Sequence, residues 1–180
     1  MHTRRSTTYA AAALAVASLA GCLPEGHVGP PRAGDPLPAM TATDLQGNDV
    51  AMADYRGQAL LLNLWATWCP PCRAEMPYLQ ELQDEFGPAG LRVVGVSVDD
   101  PGARDLLEDF VASVDVTYDI LLDPAMRSMD ILGVMGLPAT LLVDAEGTVT
   151  LFRTGPILEG DERFLAAVRE ILPEPEAAGP

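Results

Sequence analysis

The chain has 180 residues, 48% of them hydrophobic, with 26 acidic against 11 basic side chains and a net charge of −15. That length holds one domain with a sizeable core plus appendages. Such an acidic balance argues against nucleic acid as a partner and against electrostatic binding to anionic lipid.

The N-terminal segment comes first. Arg4 and Arg5 precede a run of small apolar residues from Tyr9 to Ala20. The run falls short of the roughly 20 residues that span a bilayer. A basic start, a short apolar stretch and small residues at its end mark a signal peptide over residues 1–21. The segment closes on "LAGC", Leu19 to Cys22, which resembles the lipobox of bacterial lipoproteins. That resemblance implies a lipid on Cys22 and a domain held on the extracytoplasmic, periplasmic or outer, side of a bacterial membrane. Residues 22–34 are rich in Pro and Gly and read as a lipidated N-terminus and flexible tether.

Short runs then flank Gln46-Gly47-Asn48, the pattern of a hairpin. Ala59 to Ala66 is continuously apolar, as expected of a strand buried on both faces. Pro70 to Phe86 reads as a helix, with Met76, Leu79, Leu82 and Phe86 at helical spacing and Pro77 inside it. Leu91 to Asp99 is β-rich. Ala103 to Val114 is a helix with Leu106, Leu107, Phe110, Val111 and Val114 on one face. A short strand at Tyr118–Asp123 and a short helix at Pro124–Leu132 follow. Ala139 to Gly155 is a hairpin turning at Ala145-Glu146-Gly147. Asp161 to Leu172 is a last helix with Phe164, Leu165, Val168 and Leu172 inward. Residues 173–180 read as a disordered tail. This order gives an α/β fold: a central mixed sheet flanked by helices, with an N-terminal β-hairpin extension and a central αβ insert.

Chemistry concentrates in "WATWCPPCRAEMP", Trp65 to Pro77, which holds two of the three cysteines. Zinc lacks ligands: beyond Cys69 and Cys72 only His27 remains after the signal, so no metal is expected. A structural disulfide across two residues stabilises little. Redox chemistry fits better. The pair follows a buried strand and opens a helix, with Cys69 at the N-cap and Pro70 and Pro71 at the first two helical positions. Unpaired N–H groups and the helix dipole favour a thiolate on Cys69. Cys69 is then the nucleophile and Cys72 the resolving thiol, with a mixed disulfide between. No cofactor beyond the Cys69–Cys72 disulfide is expected.

"LLNLWATWCPPCRAEMP", the preceding "LPAMTATDLQGNDVAMADYRG" and the later "VMGLPATLLVDAEG" resemble the TlpA/ResA-like thiol–disulfide oxidoreductases of the thioredoxin superfamily. The resemblance implies a thioredoxin-like domain over 35–172. Cys69 and Cys72 match the redox pair, Trp68 the residue before it, and Pro77 the helix proline. Pro138 matches the cis-proline facing the disulfide, so Leu137 would offer backbone hydrogen bonds to an extended substrate. Asn63 stands where thioredoxins proper carry a buried Asp. Glu75 matches a Glu that ResA-like proteins hold near the cysteines and would exchange protons with Cys72. Arg73 is expected in solvent.

The resemblance further implies a reductase acting on protein disulfides, for example in cytochrome c maturation, and a monomer is expected, with the oligomeric state left open by the sequence. It would be fed by a membrane thiol donor. A thiol peroxidase of the peroxiredoxin type is the alternative. Its motif wants Pro and Thr where this chain has Leu62 and Ala66. A non-catalytic binding lipoprotein would not need an intact CPPC.

Overall fold

The computed structural model describes residues 29–173. The expected signal peptide, the expected lipidation site Cys22, residues 23–28 of the expected tether and the expected tail 174–180 lie outside them. Seven strands form one mixed sheet: β1 (Thr41–Asp44), β2 (Asp49–Ala51), β3 (Ala59–Trp65), β4 (Leu91–Ser97), β5 (Asp119–Leu122), β6 (Ala139–Val143) and β7 (Val149–Thr154). Four α-helices accompany it: α1 (Pro70–Phe86), α2 (Arg104–Ser113), α3 (Arg127–Leu132) and α4 (Glu162–Ile171).

The strand order is β2-β1-β5-β4-β3-β6-β7. β3, β4 and β5 run parallel, as crossovers through helices require. β6, β7 and the N-terminal hairpin pair antiparallel at the two flanks. Both hairpin turns place a glycine at positive φ, Gly47 at 90° and Gly147 at 86°, where a side chain would be strained. An aspartate before each glycine accepts a turn N–H: Asp44 from Asn48 and Asp144 from Thr148, both at 2.8 Å.

The apolar run in β3 is continuous because both its faces are covered. Leu61 and Trp65 pack with Met76, Leu79 and Leu82 of α1 and with Phe164 and Val168 of α4. Leu60, Leu62 and Leu64 pack on the other face with Leu132 of α3, Val134 and Met40. This period of two, buried on either side, fixes the strand's register.

Two helices depart from expectation. In α2 Leu107 and Val111 are buried, but Leu106 is 61% exposed. One residue of helix turns a side chain by about 100°, which carries Leu106 off the buried stripe. The helix expected from Pro124 starts only at Arg127, because Met126 adopts a left-handed φ of 53°. Asp123 organises the turn before it: its carbonyl accepts the Met126 N–H at 2.9 Å and its side chain the Ser128 N–H at 2.6 Å.

The stretch read as tether is held against the domain at its C-terminal end. Gly34 N–H donates to Val149 O at 2.8 Å, and Pro31 is buried. A Cβ on Gly133, just after α3, would lie 2.9 Å from Gly29 and Pro30 backbone.

Candidate active site

β3 ends at Trp65 and a tight turn follows, with the Cys69 N–H donating to Ala66 O at 3.1 Å. Cys69 is the N-cap of α1, and Pro70 and Pro71 fill the first two helical positions. Neither proline has an N–H. The first amide free to turn outward belongs to Cys72, and it donates to Cys69 Sγ at 3.3 Å. The two cysteines form a disulfide with Cα atoms 5.3 Å apart. Cys72 is fully buried, Cys69 nearly so, and Trp68 beside them is 62% exposed.

Glu75, one turn beyond Cys72, is only 2% exposed. Its Oε1 accepts the Asn63 amide at 2.9 Å and its Oε2 accepts the Ile157 backbone N–H at 2.6 Å. Burial pushes its carboxyl up to about 7. The hydrogen bonds from Ile157 and Asn63, and the field of Arg153, pull the other way and lose to desolvation. Asn63 also donates to Thr140 Oγ1 at 3.1 Å, across the β3–β6 pairing. Asn63 is thus the polar hand that holds Glu75.

Leu137–Pro138 is a cis peptide bond. Ala139, the next residue, pairs with Leu64 near the end of β3, so Pro138 stands at the same end of the sheet as Cys69. Pro138 O accepts the Gly155 N–H at 2.9 Å. Among the described residues nothing pairs with the backbone N–H or C=O of Leu137. Arg73 is exposed and its guanidinium sits over the Phe110 ring, 4.7 Å from the centroid.

A groove of about 300 Å³ runs beside α1, lined by Pro71, Pro77, Tyr78, Ile157 and Leu158, with Glu75 at its base. Ile157 and Thr140 had no signal in the sequence, since both act through a backbone or hydroxyl group contributed by distant elements. Among the described residues no three His, Cys, Asp or Glu side chains group to hold a metal. Leu62 and Ala66, where a peroxidase would need Pro and Thr, are apolar and fully buried.

The AhpC/TSA family model matches residues 33–152. The chain is 34% identical to the thiol–disulfide oxidoreductase ResA of Geobacillus kaustophilus over 137 residues, 76% of this chain and 78% of that one. It resembles the structure of a Chlorobium tepidum protein assigned as the thiol:disulfide interchange protein DsbE, at 30% identity and a TM-score of 0.69, covering 77% of this chain and 99% of that one. A secreted thiol–disulfide isomerase from Corynebacterium glutamicum superposes with a TM-score of 0.65 at 28% identity, covering 74% and 85%. The chain belongs to the AhpC/TSA family and, within it, to the ResA-like thiol–disulfide oxidoreductases.

Proposed function

We propose that this oxidoreductase is an extracytoplasmic, lipid-anchored reductase of selected protein disulfides, with Cys69 as nucleophile, Cys72 as resolving thiol and Glu75 as proton carrier. The observation that carries the reading is the head of α1, where Cys69 Sγ sits on the first free amide of the helix while Cys72 lies buried one turn from Glu75.

In the reduced protein the Cys69 thiolate attacks one sulfur of a substrate disulfide. A Cys69–substrate bond forms and the first substrate thiolate leaves. Cys72 gives its proton to the Glu75 carboxylate and attacks Cys69 Sγ. The Cys69–Cys72 disulfide closes, the second substrate thiolate leaves, and Glu75 returns a proton to solvent or product. Two electrons have passed to the substrate, and a membrane thiol donor restores the dithiol. A carboxyl near 7 is matched to both halves of this transfer at neutral pH. The unpaired Leu137 backbone supports docking of an extended substrate segment. Trp68, Pro70, Pro71 and Pro138 frame it.

The LAGC sequence ending in Cys22 supports a lipid anchor. No helix among the described residues is long and apolar enough to cross a membrane. The secreted Corynebacterium relative supports an exported setting. A protein carrying a two-cysteine site, such as an apocytochrome c, is the substrate class proposed, with the enzyme working as a monomer.

Trapping tests the assignment. Full-length Cys72→Ala, expressed in a bacterial host, should accumulate a mixed disulfide on Cys69 with an exported protein, released by dithiothreitol. Equal capture by Cys69→Ala, or none by either variant, contradicts it.

A further inference from the structure

Asp99 lies two residues beyond the end of β4 and is 6% exposed. Three donors meet its carboxylate. The Thr67 backbone N–H reaches both oxygens, at 3.1 and 2.9 Å. The Thr67 hydroxyl donates to Oδ1 at 2.6 Å and the Ser97 hydroxyl to Oδ2 at 2.7 Å. Ser97 Oγ in turn accepts the Asp99 N–H at 3.1 Å. Every donor is neutral, and among the described residues no cation pairs with Asp99. A carboxylate buried without a counter-ion is costly, and only its hydrogen bonds offset that cost.

Both donors of Thr67 are therefore committed to one group. Thr67 and Trp68 form the turn that leaves β3, closed by the Cys69 N–H on Ala66 O. The direction in which that turn leaves the sheet sets where Cys69 meets α1. At that junction Cys69 Sγ accepts the Cys72 N–H. The stabilisation a helix N-terminus gives a thiolate falls off within its first turn. A displacement of Cys69 that breaks its hydrogen bond from the Cys72 N–H loses part of it.

We propose that Asp99 is a positioning residue for the nucleophile. It grips Thr67, and through the 66–69 turn it keeps the Cys69 sulfur on the first free amide of α1. Its action is through hydrogen bonds, not through its charge on the sulfur. The inference rests on Cys69 being the nucleophile.

Asp99→Asn tests it in the full-length, reduced protein. An amide in place of the carboxylate turns an N–H₂ toward a donor, so Thr67 loses part of its hold. The readout is the iodoacetamide alkylation rate, with the modified cysteine identified by mass spectrometry, at a pH below the thiol's own pKa. Cys69 should react about tenfold more slowly, the equivalent of one unit of thiol pKa. Thr67→Val, which keeps the charge and removes the 2.6 Å hydroxyl bond, should also slow it, and Thr67→Ser should restore it. Thr67→Val answers the question if Asp99→Asn does not fold.

A rate within twofold of wild type overturns the proposal, even if the melting temperature falls, since that describes a brace for the fold alone. Faster alkylation of Asp99→Asn also overturns it, because relief of charge repulsion would then govern the thiolate. Wild-type alkylation at Cys72 in place of Cys69 would instead overturn the nucleophile assignment, and this proposal with it.

Discussion

Glu75 is protonated and deprotonated within the range where thiol exchange runs. Folding lifts its pKa from 4.5 to about 7, so between those values the native protein holds more protons than the unfolded chain. Stability therefore falls as pH rises through that window, by up to roughly 3 kcal/mol. The penalty is absent below about 4.5 and complete above about 7. Glu75→Gln should flatten this dependence: urea unfolding of wild type should weaken from pH 5 to pH 8, while the variant stays level. The same variant should slow release of the mixed disulfide by about a hundredfold and remove its rise with pH near 7. A wild-type slope retained in Glu75→Gln would place the titrating group elsewhere. The sequence left the state of Glu75 open for a physical reason. Its position one turn after Cys72 is local, but its burial is set by Asn63 on β3 and by Ile157 in the loop before α4, 12 and 82 residues away in the chain. Cys69 and Cys72 were legible because their N-cap geometry is written in four consecutive residues. Asp99 was not, since nothing in "SVDD" shows that its carboxylate turns back to Thr67.

The elements that carry the site were readable to different depths. β3 declared itself by an unbroken apolar run, and α1 by a helical repeat starting at proline. Leu106 on α2 and the start of α3 depart from the expected pattern, while Leu107, Phe110, Val111 and Val114 do face the core. Periodicity alone does not fix the centre of a buried stripe, and a left-handed Met126 has no side-chain signature. α4 was readable from its amphipathic repeat, but its attachment was not. Asp161 caps it by accepting the Phe164 N–H at 3.1 Å and pairs with Arg153 of β7. These bonds hold its carboxyl below the usual carboxylate range, with the Arg153 side chain the largest cause. The segment between those two residues carries Ile157, the amide donor to Glu75. Asp161→Ala should destabilise the protein through the lost N-cap and lower its urea midpoint. Urea titration measures it, and an unchanged midpoint would mean the cap is dispensable.

At the scale of the molecule, the mixed sheet and its helical cover followed from the order of elements. The attachment of the N-terminal hairpin to the sheet did not. β1 lies beside β5, although some 75 residues of chain separate the two. Neighbouring strands are usually close in sequence, and this pair is not, so local patterns do not report it. The contacts of Gly29 and Gly34 were likewise invisible, because a Pro- and Gly-rich composition describes a tether equally well whether or not it lies along a strand edge. The whole arrangement presents one cysteine pair at one end of one sheet, with the buried Glu75 carboxyl one helical turn from Cys72 and an open backbone at Leu137 beside it.

Direction of electron flow is what that arrangement must decide. Potentials on this fold run from about −270 mV for thioredoxin to about −120 mV for DsbA. The most direct measurement is the equilibrium reduction potential of Cys69–Cys72 in the full-length protein, against glutathione and dithiothreitol buffers. A reductase fed by a membrane donor predicts a value well below about −200 mV. A value near −120 mV would contradict it and make the protein an oxidant of its partners.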